Sequence, residues 1–204
     1  ETTALDALDI LLTEELTLRE NRRVRMALQM ARLSAVRTLA GFDFAFQPAI
    51  ERSRIETLAT GSWIRSAEVL LLQGPPGVGK SHLLVALGIR AIELGFSAQY
   101  FRFDELMTAL KADAHLPASR IKARKYMSTA LLLIDEMGYD PMNRQEASLF
   151  FRLVSHRYGR GAMIITTRKP GDSTEFDVSG GYGSDSSFKA SIYAGGALSD
   201  TVRG

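Results

Sequence analysis

The chain has 204 residues, of which 46% are hydrophobic, and it has no cysteine and a formal net charge of only +2. The absence of cysteine excludes disulfides and thiolate metal sites, and it favours a cytoplasmic location. No run of 18 or more apolar residues occurs, so we expect no membrane span. No charged and then apolar leader opens the chain, so we expect no secretory signal.

The first 66 residues are expected to form a helical region that contacts DNA or a partner. Residues 4–40 lack Pro and Gly and are rich in Leu, Ala, Arg and Glu, which predicts a long helix. An apolar face is expected at Val24, Ala27, Leu28, Ala31 and Ala35, and an opposite basic arc at Arg19, Arg22, Arg23, Arg25 and Arg32. This arc either contacts DNA phosphates or is a solvated surface, and the pattern leaves both open. An aromatic break at residues 42–48 precedes a shorter helix over residues 50–66.

Residues 67–170 alternate between strand and helix patterns. The predicted strands cover residues 69–73, 98–102, 131–134 and 162–166, and the predicted helices cover residues 81–94, 104–112 and 145–158. Such alternation predicts an α/β fold, with a parallel sheet flanked by helices on both faces.

The stretch GPPGVGKS at residues 74–81 matches the phosphate-loop pattern G-x-x-x-x-G-K-[ST] at each fixed position. It lies between a predicted strand and a predicted helix, which is the context that the pattern requires. Its glycines allow the backbone to aim N–H groups at phosphate oxygens, and the helix N-terminus adds positive potential. Lys80 can then reach the outer phosphates and Ser81 can offer a hydroxyl to Mg²⁺. We predict that ATP binds through Gly74, Pro75, Pro76, Gly77, Val78, Gly79, Lys80, Ser81 and His82.

Two acids follow four aliphatic residues in the segment LLLIDE at residues 131–136. Ligands of an open parallel sheet bind at the carboxyl ends of its strands. Asp135 is therefore a candidate Mg²⁺ ligand, and Glu136 a candidate base for the attacking water. A helix N-cap or a solvated turn is the less favoured explanation of the acid pair. The pair favours hydrolysis, with Glu136, Asp135 and Lys80 as the catalytic candidates.

Two further features are ambiguous. In ring-forming ATPases, the strand beside the acid-bearing strand ends in a polar residue that hydrogen-bonds the water near the γ-phosphate. Thr166 and Thr167 are candidates for this role, although ordinary strand-end threonines explain them equally well. The basic run at residues 120–125 either touches nucleic acid or forms a solvated loop.

Residues 171–204 differ in composition from the rest of the chain. They contain seven Gly and seven Ser, few large aliphatic residues and no clear periodicity. Such a segment gains little from burial, so we expect a poorly ordered or loosely packed tail.

Several segments together resemble the IstB-like transposition helper ATPases, relatives of the DnaC helicase loader within the AAA+ proteins. The resemblance covers about residues 5–170. The segments that carry it are LAGFDFAFQPAIERSRIETLATGSWI, VLLLQGPPGVGKSHLLVALGIRAIELG, LLLIDEMGYDP and LFFRLVSHRYGRGAMIITT. It implies a AAA+ core that binds ATP and Mg²⁺, preceded by a helical region. It also implies binding to duplex DNA, self-association into a multimer, and recruitment or activation of an integrase-type transposase.

The resemblance assigns positions as well as a role. Lys80 and Ser81 match the phosphate-loop residues of the family, and Asp135 and Glu136 match its acidic pair. The segment Phe42–Phe44 matches a stretch that lies near the base pocket. Arg168 stands where the family typically has Asn.

The resemblance ends near Pro170. The family continues with a helix containing Asp-Arg-Leu-Leu, whose arginine reaches a neighbouring subunit's nucleotide, and with a final strand. Neither is recognisable in residues 171–204, so we expect an open sheet edge and weak DNA-stimulated hydrolysis. Arg157, Arg160 or Arg203 would have to replace the missing arginine. A helicase loader and an ATP- and DNA-binding module without efficient hydrolysis are the alternative functions.

Overall fold

The computed structural model of the chain describes residues 3–33, 37–45, 50–138, 142–167 and 177–181. The helices are α1 (Ala4–Ala31), α2 (Arg52–Leu58), α3 (Ser62–Arg65), α4 (Lys80–Glu93), α5 (Phe103–Asp113), α6 (Ala118–Lys122), α7 (Lys125–Ser128) and α8 (Arg144–Arg157). The strands are β1 (Val69–Gln73), β2 (Ala98–Arg102), β3 (Leu131–Met137), β4 (Ala162–Thr167) and β5 (Asp177–Gly181).

The strands form one sheet in the order β2-β3-β4-β1-β5. The first four strands in this order are parallel, and β5 lies antiparallel to β1. Because strand residues alternate between faces, Leu131 and Leu133 of β3 join one buried cluster while Leu132 and Ile134 join another. Helix α4 packs in the first cluster, and α5 and α8 pack in the second. The predicted fold class is therefore confirmed, with four parallel strands and helices on both faces.

Helix α1 begins with a capping box, in which Thr3 and Asp6 satisfy each other's main-chain N–H groups. Its second half packs on the core through the predicted apolar face, since Ala31 is fully buried and Val24, Ala27 and Leu28 are partly buried. The large apolar side chains of residues 5–18 are exposed: Leu5, Leu8, Ile10, Leu11, Leu12, Leu16 and Leu18. No helix of the described residues is both long enough and apolar enough to cross a membrane.

The predicted helix over residues 4–40 is too long. Helix α1 ends at Ala31, and Arg32 takes a left-handed conformation with φ 59° that satisfies the last helical carbonyls. Residues 37–45 are not helical, and Ala35 lies outside the described residues. The predicted helix over residues 50–66 is two helices, α2 and α3, which are separated at Gly61.

We expected no strand in the tail, residues 171–204, and this expectation is wrong, because five of its residues form β5. Strand β5 pairs along the whole of β1, from Val69 opposite Gly181 to Gln73 opposite Asp177. Pairing along an edge uses main-chain N–H and C=O groups, so a Gly- and Ser-containing segment can supply it without an apolar face. The edge of β1 is thus covered, whereas the other residues of the tail lie outside the described residues.

Candidate nucleotide site

The phosphate loop connects β1 to α4 at the carboxyl edge of the sheet. Gly77 and Gly79 have φ of 83° and 90°, which the loop requires and which most other residues rarely adopt. A side chain at Gly79 would lie 2.8 Å from the Phe42 ring, because the chain after α1 folds back onto the loop. Lys80 is the first residue of α4, so the helix N-terminus and its free N–H groups face the loop.

Lys80 is buried against its own loop, with 8% of its surface exposed. Its Nζ donates to the carbonyl oxygens of Gly74 at 2.8 Å and Pro75 at 2.6 Å. These contacts hold the ammonium group beside the loop, where phosphate oxygens would compete with the carbonyls for it.

Asp135 lies at the end of β3 and accepts hydrogen bonds from three hydroxyl groups. Ser81 Oγ donates to Oδ1 at 2.9 Å, Thr166 Oγ1 donates to the same oxygen, and Tyr100 OH donates to Oδ2 at 3.2 Å. Burial, followed by the charge of Asp135, raises the pKa of the Tyr100 hydroxyl, so Tyr100 stays a protonated donor. The predicted pair of Ser81 and Asp135 is thus in direct contact.

Glu136 takes a left-handed conformation with φ 63°, which is uncommon for a residue other than glycine. Its main-chain N–H donates to Thr166 Oγ1 at 2.9 Å and to Asp135 Oδ1 at 3.1 Å. Its carboxylate forms an ion pair with Arg102 at the end of β2, with Nη2 of Arg102 2.9 Å from Oε2. Thr166 of β4 and the preceding Asp135 therefore fix the main chain of Glu136, and Arg102 of β2 holds its carboxylate.

These residues surround a cavity of about 410 Å³. The predicted residues that line it are Pro76, Gly77, Gly79, Lys80, Ser81, His82, Glu136, Thr166 and Thr167. Gly74 and Pro75 contribute through the carbonyls that hold Lys80, and Asp135 through its bond to Ser81. Val78 packs on the apolar core beneath the loop instead of lining the cavity. A cavity with a cation and main-chain N–H groups at one wall and carboxylates at the other suits a metal-bound polyphosphate.

An aromatic group adjoins the loop. The ring of Phe42 meets those of Phe44 and His82 edge-on, at centroid distances of 4.9 and 5.3 Å. His82 Nε2 lies 2.9 Å from the carbonyl oxygen of Thr38, within hydrogen-bond distance. This group ties the chain that follows α1 to the first turn of α4.

Comparison with known proteins identifies the family. The sequence matches the family described as IstB-like ATP binding protein over residues 1–176. The chain belongs to this family. It is 41% identical over 159 residues to an "Insertion sequence IS21 putative ATP-binding protein" of Pseudomonas aeruginosa, with 78% of this chain and 60% of that protein covered. The chain thus spans less than two thirds of the length of this IstB-like relative.

Two solved structures resemble the IstB-like chain in fold. The DnaC helicase loader has a TM-score of 0.52 and 22% identity, with 59% of this chain and 69% of that chain covered. A DNA replication initiation factor has a TM-score of 0.56 and 20% identity, with 67% and 43% covered. Both likenesses show the fold alone.

Three site residues were missed by sequence reasoning. Arg37 lines the nucleotide cavity, Tyr100 donates to Asp135, and Arg102 binds Glu136. Arg102 is the last residue of β2 and had a signal, since the carboxyl end of a strand beside β3 must face the acid pair. Arg37 had none, because its position depends on the path of the chain after α1.

Arg157 is not available for the role of an arginine that reaches a neighbouring subunit's nucleotide. It is 1% exposed and donates to main-chain carbonyls of α7, the segment before β3 and the start of β4. The possibility that it reaches a neighbour's nucleotide is therefore wrong. Arg160 is exposed, while Arg168 and Arg203 lie outside the described residues.

The basic arc of α1 is exposed, as both of its interpretations require. Three of its arginines are in ion pairs: Arg19 with Glu15, Arg23 with Glu20, and Arg32 with Glu105. Arg22 and Arg25 form no ion pair with any residue that the structure describes. Within this arc, these two arginines have the most freedom to meet a phosphate group.

Proposed function

We propose that this chain is a Mg²⁺-dependent ATPase that assists DNA transposition by binding DNA and by recruiting or activating a partner transposase. The observation that carries the proposal is the contact between the phosphate loop and the acid pair, through Ser81 and Asp135 at 2.9 Å, around one cavity. The likeness to a protein named for an insertion sequence supports the role in transposition.

The residues present fit a magnesium ion with bound ATP. Mg²⁺ prefers oxygen ligands and usually binds through one or two protein groups together with phosphate and water. Ser81 and Asp135 offer a hydroxyl and a carboxylate side by side. Among the described residues, no group of three or more His, Asp or Glu side chains could hold a metal ion by itself, which agrees with a site that phosphates complete. When bound, the ion would neutralise charge on the transferred phosphoryl group.

The protein's own groups divide the remaining work. Lys80 exchanges its carbonyl partners for the outer phosphates of ATP. Glu136 accepts a proton from water as the water oxygen bonds to the γ-phosphorus and the bond to the leaving ADP oxygen breaks. The Glu136 carboxylate is bound to Arg102, so this ion pair has to open or turn before the carboxylate reaches the water. Thr166 positions the Glu136 main chain instead of being free to hold the water by itself.

Glu136→Gln tests this assignment. The amide keeps the size of the side chain and loses the base, so we expect ATP binding to remain and hydrolysis to fall by roughly 10²–10⁴-fold. Binding is measured with a fluorescent ATP analogue and turnover by phosphate release. The exposed Glu14 on α1 gives a matched control, Glu14→Gln, which should match the parent protein. Hydrolysis at the parental rate in Glu136→Gln would remove Glu136 from the mechanism.

DNA contact is the second half of the proposal. We assign it first to Arg22 and Arg25, which would meet the phosphates of duplex DNA and release counterions. Each lost contact should lower the salt slope of duplex binding by about 0.9. Replacing both by Gln should weaken binding to all duplex sequences alike, as measured by fluorescence anisotropy over a range of salt concentrations. An unchanged salt slope would mean that the basic arc of α1 is a solvated surface and does not contact DNA.

Self-association and transposase contact complete the proposed role. ATPase rates measured against protein concentration, with and without duplex DNA, separate a hydrolysing helper from a module that only binds. Since Arg157 is unavailable, we expect a small increase in rate in both series. A strong rise would mean that another arginine completes a neighbour's site. Co-purification with a transposase of the integrase type tests the partner.

A further inference from the structure

A second cavity, of about 370 Å³, lies between α6 and α8. None of its lining residues borders the nucleotide cavity. Its walls combine apolar side chains with cationic or basic ones: Ile121, Met127 and Phe151, and Lys122, Arg152 and His156. We call this the α6/α8 cleft.

The charged side chains that line the α6/α8 cleft all have the same sign. Lys122 of α6 and Arg152 of α8 face it from opposite walls, and both are exposed. Arg160 contacts His156 with Nη1 3.4 Å from Nδ1, so a further cation flanks the cleft. No carboxylate of the described residues lines the cleft. The buried carboxylate of Asp113 nearby is bound to Arg124 at 2.5 Å and leaves the other cations uncompensated.

The state of His156 is consistent with a concentration of positive charge. Burial lowers the pKa of its imidazole, and the positive charges of Arg160, Lys122 and Arg157 lower it further. An anion placed in the cleft would meet these cations, and no carboxylate lines the cleft among the described residues. The charge of the cleft therefore fits a polyanion.

Phe151 adds a second requirement to the ligand. Phe151 is 70% exposed although it stands on the same helix as the buried Phe150 and Leu153. An exposed aromatic ring beside cations is the arrangement that binds unpaired bases, since the bases stack on the ring while the cations hold the phosphates. In a duplex, the bases are already stacked and paired, and exposing one costs a few kcal/mol.

We propose that the α6/α8 cleft binds single-stranded DNA, with phosphates on Lys122 and Arg152 and a base on Phe151. This inference deepens the proposed function, on which it rests for the presence of DNA. It assigns the unpaired strand to this cleft, while duplex DNA is assigned to α1. None of the three residues belongs to the nucleotide site, so the inference and the ATPase assignment can fail separately.

The ring is tested with two oligonucleotides of equal length, an oligothymidine and an abasic strand that has phosphates but no bases. Phe151→Ala should weaken oligothymidine binding by about 10-fold, because a lost base stack is worth that much, and should leave the abasic strand unchanged. Tyr158→Ala is the matched control: Tyr158 is 65% exposed at the end of the same helix and does not line the cleft. Equal loss for both strands, or no loss for either, would overturn the stacking role.

The cations are tested with the double variant Lys122→Gln, Arg152→Gln. It should weaken binding of both strands and lower the salt slope by about 1.4, which is about 0.7 for each contact to a single strand. The variant Arg65→Gln, Arg144→Gln is the control with equal charge, since both arginines are exposed and line neither cavity, and it should leave single-strand binding unchanged. The location is wrong if this control variant weakens single-strand binding as much as the cleft variant does.

Two measurements separate this test from the proposed function. ATP binding and thermal unfolding of each cleft variant should equal those of the parent chain, which shows that the fold is retained. A duplex of the same length should bind more weakly than oligothymidine at the cleft and be insensitive to Phe151→Ala. A duplex that is equally sensitive to Phe151→Ala would overturn the preference for an unpaired strand, whatever the ATPase result.

Discussion

The sheet has an amino edge, where its parallel strands begin, and a carboxyl edge, where they end, and these two edges hold buried cations in different ways. At the amino edge, where β4 begins, both terminal nitrogens of Arg157 donate to four carbonyls at 2.8–3.3 Å. Gly161 allows this approach, since a side chain there would lie 2.6 Å from Nη2. At the carboxyl edge, Lys80 donates to two carbonyls of a loop that borders an open cavity. The first cation is fixed by the fold, whereas the second faces a space in which it can change partners.

The buried carboxylates show the same contrast. Asp113, near the amino edge, accepts from Tyr126 OH at 2.7 Å and forms an ion pair with Arg124. Asp135 also accepts from a tyrosine but forms no ion pair with any cation that the structure describes. Its charge is held by hydroxyl groups and one main-chain N–H, which leaves it able to attract a metal ion. Compensated charge therefore stabilises one edge, and uncompensated charge at the other edge is suited to a ligand.

The largest expected effect comes from removing the two buried cations in turn. Arg157→Met leaves four carbonyls in a dry interior without their donor, so we expect the free energy of unfolding to fall by about 3–5 kcal/mol. Lys80→Met leaves two carbonyls beside the cavity, where water can replace the donor, so a loss of about 1 kcal/mol is expected. Urea unfolding followed by circular dichroism measures both.

The loss of ATP affinity should rank the two variants in the opposite order from the loss of stability. Lys80→Met should abolish most of the nucleotide affinity, while any Arg157 variant that still folds should bind ATP normally. Arg157→Lys is the variant to use, because it keeps the buried positive charge. It still loses hydrogen bonds, since an ammonium group cannot reach four acceptors. Equal losses of stability for Arg157→Met and Lys80→Met would remove the distinction between the edges.

The sequence predicts most of the charged residues at the carboxyl edge of the sheet, and it predicts little of the arrangement at the amino edge. The phosphate loop and the acid pair are local patterns, and a parallel sheet brings the ends of its strands together, so Lys80, Ser81 and Asp135 could be placed in advance. Arg157 reads as one more cation at the end of an amphipathic helix. Only the tertiary fold shows that it points inward to the carbonyls of α7 and β4.

Elements with weak local signals were missed for related reasons. Helices α6 and α7 have five and four residues, too few for a periodic pattern to appear. The predicted end of α1 lies too far along the chain, because the left-handed residue that ends the helix is Arg32 and not a glycine, which would have marked the end. Strand β5 depends on main-chain pairing with β1, which side-chain patterns do not report.

A smaller effect is expected at Arg37, the cation that the chain after α1 brings to the carboxyl edge. Its side chain is exposed, lines the nucleotide cavity and forms no ion pair with any described residue. Arg37→Ala should weaken ATP binding by about 5- to 10-fold, as expected for a partly solvated charge-assisted contact. If it meets the outer phosphates, ADP binding should change less. Arg32→Ala is the control, since Arg32 pairs with Glu105 and does not line the cavity. Equal losses for ATP and ADP would assign Arg37 to the inner part of the nucleotide.

The smallest expected effect is a pH dependence at the amino edge. The Tyr126 hydroxyl, and then Arg124, lower the pKa of Asp113 below its ordinary value of 3.8. A carboxylate with a lowered pKa stabilises the fold fully above its unfolded pKa, and the stabilisation is lost as the pH falls toward the folded pKa. The difference in unfolding free energy between the parent chain and Asp113→Asn should therefore be constant above about pH 5 and shrink below about pH 4. Urea unfolding at a series of pH values measures it, with Asp9→Asn, an exposed α1 position, as the background. A difference that stays constant down to pH 3 would mean that Asp113 acts through its hydrogen bonds and not through its charge, and the contrast with Asp135 would then rest on burial alone.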